Sequence, residues 1–455
     1  MTAAAADADA CPRWAWLLPF ALIFLLPFGR AAELGTLALV MLCATLLLRQ
    51  PRVFATLPAA RWALAIWACY ELAALGSTLA AVAPARTWET VAAMLRYLPL
   101  LLGVAWVLRD AAQWRRLLRA VALLTLLWTL DAWMQALTGW SVRGHAMPHR
   151  LTGVFGAGDP KMGQVLAVLA PFLLALAQRW RGRVALTAAA LLLLGPILLS
   201  GSRASWVTYA FVLAIFLWRE AGSWRRFALW SAAAALLGVL ALGAAWQTST
   251  RFDARMQRTL LALKGSEHDI NAALSGRLTI WADAGRMIVA NPWTGVGVRG
   301  FRYAYPRYAR PGDPFVNRAE DQGAYYAHQI VLEILSESGV LGLALWTLGT
   351  LLAWRMWRRA PTHARALAWP AGIAVLAAVF PFNTTLAFYS AWWGLLFWWL
   401  LALWIGALGT APATDARAHP AAAIGARGAR LSRPNTLAKP PCPPSISSPR
   451  STSTS

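Results

Sequence analysis

Three short segments of the sequence hold residue types able to manage a phosphate and a proton. Gly201-Ser202-Arg203-Ala204-Ser205-Trp206 sits between two apolar runs. A charge such as Arg203, beside a helix start at a membrane edge, is expensive unless paired, functional, or long enough to reach the interface. Ser275-Gly276-Arg277 opens another helix. Ser275 is placed to cap it, and Arg277 projects from its first turn, where backbone N–H groups also attract anions. A guanidinium beside such donors suits a phosphate. Tyr325-Tyr326-Ala327-His328 leads into a third helix, which carries Glu333 and Glu337. A lone histidine at a helix start has an ordinary structural reading. His328, however, lies where a polar segment meets an apolar one. The helix N-terminus and nearby arginines lower its pKa, so the ring is expected to stay neutral and able to accept a proton.

Other motifs are weaker. Gly295-Val296-Gly297-Val298-Arg299-Gly300 matches GxGxxG. No βαβ pattern surrounds it, which excludes a dinucleotide site and leaves a Gly-rich turn or a phosphate cradle. His145 and His149 have the spacing of metal ligands on a helix, but Pro148 argues against a helix there. Cys11, Cys43, Cys69 and Cys442 show no CxxC spacing, so neither zinc nor a disulfide framework is expected. No carboxylate cluster suits a divalent ion, and neither metal nor cofactor is expected.

The elements that must position these residues are membrane helices. Of 455 residues, 59% are hydrophobic and only 13% charged, which excludes an ordinary soluble domain. A spanning helix needs roughly 20 mostly apolar residues. Twelve candidates appear: 14–29, 34–48, 62–82, 91–108, 120–138, 163–178, 184–200, 204–218, 227–246, 328–353, 366–382 and 389–409. The fold class is therefore all-α and polytopic, with about 12 transmembrane helices and one long, partly helical periplasmic loop. One alternate set of short loops holds 17 basic residues, among them Arg109, Arg183, Arg226 and Arg359, against Asp110 and Glu220. By the positive-inside rule both termini are cytoplasmic. The net charge of +23 is then largely a topology signal, not a nucleic-acid footprint.

Four regions follow: helices 1–9 within 1–246, a periplasmic loop over 247–327, helices 10–12 within 328–410, and a Pro/Ser-rich cytoplasmic tail over 411–455 that cannot bury a core. Within the loop, Phe252, Met256, Leu260 and Leu263 predict a basic amphipathic helix able to lie on the membrane. Arg277, Trp281, Ala284 and Ile288 share one side of a second helix, which Asn291-Pro292 ends. The loop's eleven Lys/Arg against seven Asp/Glu suit either a face beside anionic lipid or an anionic substrate. The 27 tryptophans fit membrane interfaces and carbohydrate contacts alike.

The ordered set resembles the O-antigen ligase and polymerase superfamily of bacterial envelope enzymes. The resemblance covers roughly residues 150–350. It rests on Gly201-Ser202-Arg203, Ser275-Gly276-Arg277 with Trp281, Asn291-Pro292 through Gly297 and Phe301, and Ala327-His328 followed by Leu332, Leu335, Glu337, Gly339 and Gly342. Gln329 stands where the family commonly has Asn, a change that bears on local hydrogen bonding. The resemblance implies transfer of a glycan from undecaprenyl diphosphate to an acceptor at the periplasmic face of the inner membrane; for a ligase the acceptor is lipid A–core oligosaccharide. The chemistry needs cations for the departing diphosphate and a base for a sugar hydroxyl. Arg203 and Arg277 are assigned to the first and His328 to the second, with Arg150 a further donor-binding candidate. An O-antigen polymerase, a protein O-oligosaccharyltransferase and a lipid-linked glycan flippase are the alternatives. A transporter would place ionisable groups near the midplane, for which Glu71, Arg96 and Asp131 qualify.

Overall fold

The computed structural model describes residues 11–50, 52–145, 147, 150–248, 256–257, 260–316, 322–385 and 387–410. The chain divides into two compact units, Met1–Pro412 and Ala413–Ser455. The tail read over 411–455, Cys442 and His149 lie outside the described residues, as does half of the amphipathic segment 252–263, Phe252 included.

Two apolar stretches fold back on themselves. Helices α1 (Leu17–Leu25) and α2 (Ala32–Arg49) reverse at Phe28–Gly29, where Gly29 takes a φ of 65°. They pack so closely that a Cβ on Gly35 would lie 2.6 Å from the Leu22 backbone. Helices α3 (Ala60–Gly76), α4 (Pro84–Met94), α5 (Tyr97–Val107) and α6 (Ala111–Thr138) follow. Asp110 caps α6 by accepting from the Ala112 N–H, and left-handed Gly139 ends it. A short ribbon then pairs β1 (Trp140–Ser141) with β2 (Gly144–His145), which places His145 on a strand beside Trp140 rather than on a helix.

Helix α7 (Met162–Leu199) breaks at Arg181–Gly182. Run straight, it would measure about 57 Å. Instead its ends meet, since a Cβ on Gly163 would lie 2.0 Å from Ser200 Oγ. Helix α7 is therefore a hairpin of two apolar segments. Helices α8 (Arg203–Ala221) and α9 (Trp224–Thr248) come next. The polar segment holds α10 (Glu267–Ala273), α11 (Arg277–Ala290) and α12 (Phe301–Tyr308). The chain returns through α13 (Ile330–Arg359), α14 (Thr362–Val379) and α15 (Ala391–Leu408).

Among the described residues, nine helical stretches are long and apolar enough to cross a membrane. Two of the nine are the hairpins, and α8 has the length but carries Arg203, Arg219 and Glu220. With the hairpins split and α8 added, each of the twelve apolar segments of the sequence has a helical counterpart. The chain is a multi-pass membrane protein. Helix α15 is apolar on every side and accordingly runs through the middle of the bundle, buried along nearly its whole length. Its Trp398 stacks on Tyr97 at 5.2 Å and meets Tyr70 edge-on at 5.4 Å, tying α15 to α5 and α3.

The charge alternation of the loops has a geometric counterpart. At one end Arg183 donates to Glu220 at 3.0 Å, Arg179 to the Ala366 carbonyl at 3.4 Å, and Thr410 Oγ1 to the Leu108 carbonyl at 2.8 Å. At the other, Arg143 donates to the Pro27 carbonyl at 2.7 Å and Lys161 covers the Trp392 ring at 4.5 Å. We expect tags at Gly265 and Pro311 to face the periplasm, and tags at Arg225, Pro361 and the C-terminus to face the cytoplasm. Alkaline phosphatase fusions test this, and activity from a Pro361 fusion would reverse the orientation.

Two of the three ionisable groups that suit a transporter have local partners. Arg96 donates to Glu33 at 3.0 Å, and Asp131 accepts from the Val142 N–H at 2.8 Å. The first ties the start of α5 to the start of α2, and the second holds the turn of the β1–β2 ribbon against α6. Glu71 is buried on α3.

Candidate functional site

The polar segment carries its own small core. Ile280, Ala284 and Met287 of α11 pack with Val296, Phe301, Ala304, Tyr305 and Ala327. The buried face of α11 is thus turned from the one the sequence pattern suggested: Ile280, Asp283, Ala284 and Met287 point inward. Trp281 instead reaches sideways, its Nε1–H donating to the Ala327 carbonyl at 3.0 Å and fixing the residue before His328. Asn291 ends α11, where the sequence placed the stop.

The start of α11 differs from expectation. Ser275 does not cap the helix. It takes a left-handed φ of 59°, followed by Gly276 at 78°. Asn271 does the capping: its Oδ1 accepts from the Leu278 N–H at 3.1 Å and its Nδ2 donates to Thr279 Oγ1 at 2.8 Å. The turn frees Ser275 Oγ to accept from Arg203 Nη2 at 2.8 Å. Residues 72 positions apart are so joined, and Arg203 comes within electrostatic reach of Arg277. Ser202, one residue before, caps α8 through the Ser205 N–H.

Burial pulls the Arg277 pKa down, the neighbouring Arg203 charge adds to this, and Tyr326 opposes it. Two guanidiniums at close range are costly together unless an anion joins them. Arg277 lines a cavity of about 400 Å³ together with Ser275, Ile280, Phe315, Gln322, Gly323, Ala324, Tyr325 and His328; Arg203 does not line it but is hydrogen-bonded to its Ser275.

His328 also has a left-handed φ, 55°. Its ring packs on Tyr326 with centroids 4.2 Å apart, and its Nδ1 lies 3.0 Å from the Thr384 carbonyl. A carbonyl only accepts, so Nδ1 carries the proton and Nε2 is left with a free lone pair. Burial, and then the Arg277 charge, hold the imidazole well below its ordinary pKa, at about 4. The ring is neutral at physiological pH, as the sequence suggested. Gln329, despite its longer amide, caps α13 by accepting from the Leu332 N–H at 2.7 Å.

The Gly-rich turn is no phosphate cradle, because all six of its amides are donated within the protein. Gly295 gives to Asn291, Val296 to Ser336, Gly297 to Glu337, and Gly300 to Gly297, each to a carbonyl. Val298 donates to Ser77 Oγ at 3.1 Å and Arg299 to the Glu337 carboxylate at 2.9 Å. Helix α13 breaks at Gly339 (φ 67°), and the turn docks against the carbonyls of Ser336 and Glu337 just before that break. Glycine is required here: a Cβ on Gly295 would lie 2.4 Å from the Glu337 backbone. Glu337 is buried and holds both the Arg299 and Phe301 N–H groups, so it anchors this turn.

Arg203, Arg277 and His328 therefore converge. Arg150 does not line the cavity; the neighbouring Leu151 N–H donates to the Leu199 carbonyl, just before the Gly201 turn, and burial lowers the Arg150 pKa. Sequence reasoning missed Thr384, Tyr326 and Asn271. Thr384 acts through its backbone carbonyl, which no side-chain pattern reveals. Among the described residues, no three His, Cys, Asp or Glu gather as a metal site.

Of the curated proteins compared, none matches the chain. Residues 188–347, a stretch that includes Arg203, Arg277 and His328 but not Arg150, match the family model described as O-Antigen ligase, so this part of the chain is similar to the O-antigen ligase superfamily.

Proposed function

We propose that the protein is an O-antigen ligase: it moves a glycan from undecaprenyl diphosphate to lipid A–core oligosaccharide at the periplasmic face of the inner membrane. The observation that carries this reading is a cavity lined by Arg277 and a neutral, oriented His328, with a second guanidinium, Arg203, held next to Arg277 by Ser275 of the cavity wall. The family includes ligases and related polymerases of lipid-linked glycans. The three groups meet the two needs of the reaction: the arginines supply cations for the departing diphosphate and the imidazole a base for the acceptor hydroxyl.

In this mechanism the donor diphosphate binds Arg203 and Arg277, which relieves their repulsion. The acceptor hydroxyl oxygen forms a bond to the anomeric carbon as the bond from that carbon to the phosphate oxygen breaks. The hydroxyl proton passes to His328 Nε2, and undecaprenyl diphosphate departs with its charge held by the two arginines. No metal ion is required. Direct displacement inverts the anomeric centre.

Purified protein given lipid-linked glycan and lipid A–core is expected to glycosylate the core, and to do so equally after exhaustive EDTA treatment. Donor alone should give no longer chains. A ladder of lengthened lipid-linked glycan from donor alone would make the protein a polymerase. Loss of transfer with EDTA and rescue by one divalent ion would overturn the arginine assignment.

A further inference from the structure

Among the described residues only Ser275, Arg299 and His328 take a left-handed φ without being glycine. Two of them belong to the site above. The third, Arg299 (φ 64°), lies in the Gly-rich turn, where a long side chain is disfavoured and glycine costs nothing. Backbone held in such a conformation collects at functional sites. The anchor that holds it is plain: buried Glu337 accepts the Arg299 N–H at 2.9 Å. That contact uses the backbone; the guanidinium lies within electrostatic reach of the buried Glu337 and Glu333 carboxyls.

Arg299 has company. Arg302, at the start of α12, lies within electrostatic reach of Arg299 and Arg86. Burial and the Arg299 charge lower its pKa. Among the described residues no carboxylate is in salt-bridge contact with Arg299 or Arg302, and buried Glu337 lies within electrostatic reach of both; Arg86 pairs with its own neighbour Glu89 at 2.5 Å. The Arg302 guanidinium lies over the Tyr325 ring at 4.5 Å, and Tyr325 lines the cavity that holds Arg277 and His328. Tyr326, packed on His328, feels the charges of both Arg277 and Arg299. The protein thus presents two groups of guanidiniums, Arg203 with Arg277 and Arg299 with Arg302, with Tyr325 and Tyr326 shared between them and His328 packed on Tyr326.

We propose that Arg299 and Arg302 form a second oxyanion site, which takes an anionic group, phosphate or carboxylate, on the acceptor glycolipid. The inference rests on the transferase reading above and assigns it a separate acceptor pocket. With the donor diphosphate on Arg203 and Arg277 and the acceptor's oxyanion on Arg299 and Arg302, the acceptor hydroxyl is brought to the histidine between them. The stacked Tyr325 ring holds the Arg302 guanidinium plane, and a planar fork suits bidentate contact with an oxyanion.

Arg299→Gly is the informative variant, because it keeps the N–H that Glu337 binds and relieves the backbone. In nanodiscs, Arg299→Gly and Arg302→Ala should each raise the acceptor KM about tenfold or more, the size expected for a lost charge-assisted hydrogen bond, and leave the donor KM nearly unchanged. Enzymatic removal of the acceptor's phosphates separates the two sources of charge. If phosphate is the ligand, stripped acceptor binds wild type and variants alike; if a sugar carboxylate is the ligand, the gap between them persists. An unchanged acceptor KM in both variants, or a rise confined to the donor KM, would overturn the second site while leaving the transferase reading intact. Absence of transfer by wild-type protein with every acceptor would overturn both.

Discussion

Replacing His328 with alanine is expected to slow glycan transfer by about 100- to 10,000-fold, the range for loss of one general base, with donor affinity nearly intact. The second half of that expectation follows from the ring's charge. A neutral imidazole whose Nδ1–H is already given to the Thr384 carbonyl contributes little to holding a diphosphate. Its pH signature has a definite sign. In the free protein the ring stays neutral down to about pH 4, so kcat/KM should have its acid limb there and not near 6.5. Once the donor is bound, its negative charge offsets Arg277, the second cause of the lowered pKa, and the limb in kcat should move upward. Folding has the same sense. Between about pH 4 and 6.5 the unfolded chain binds more protons at this residue, so its contribution to stability is present above 6.5 and lost as pH falls through that window. Transfer rate, donor affinity and the two pH profiles check these points. Near-wild-type transfer by His328→Ala would make the imidazole structural. Glu337 is then no substitute, since its carboxylate is occupied by the Arg299 and Phe301 amides.

Arg277→Ala is expected to lower turnover by about 100- to 1,000-fold, as for removal of one preorganised donor to a developing charge, and to weaken donor binding as well. Arg277→Lys keeps the charge without the planar fork and should fall between alanine and wild type. The same order is expected at Arg203, which Ser275 orients. A stability measurement separates function from scaffolding. Arg277 is buried and repelled by Arg203, so Arg277→Ala should leave the thermal midpoint unchanged or raise it while activity collapses. A lower midpoint matched by a proportional loss of active protein would mean that this arginine holds the fold together.

Periodicity and charge in the sequence carry the membrane architecture far. The apolar segments are helical, and the basic loops gather at one end because each turn between helices returns the chain there. The hairpins at Gly29 and Gly182 follow from a simple conflict: the flanking apolar runs are too long for one crossing and have a glycine to turn on. Arg203 stood out in the sequence because a charge at the boundary of an apolar run is costly, while Arg277 and His328 stood out at the starts of helices, where anions and a neutral base are favoured. What the sequence hid depends on partners far along the chain. Ser275 looked like a cap because Ser at a helix start usually is one, yet Asn271 took that role and released Ser275 to Arg203. The sequence left a plain turn or a phosphate cradle open at Gly295–Gly300 because glycine exposes amides; the break at Gly339 exposes carbonyls that claim two of them, and Ser77 and the Glu337 carboxylate claim two more. Arg299 gave no signal at all, since its φ is invisible before folding.

The central claim is direct displacement at one cavity, and the product of a single incubation tests it most directly. Purified protein in nanodiscs, lipid-linked glycan of known anomeric configuration and lipid A–core acceptor are combined, and the new linkage is read by NMR. The account predicts one glycan on the core for each undecaprenyl diphosphate released, joined with inverted anomeric configuration. A retained configuration, or release of undecaprenyl diphosphate with no glycan on the acceptor, would contradict it.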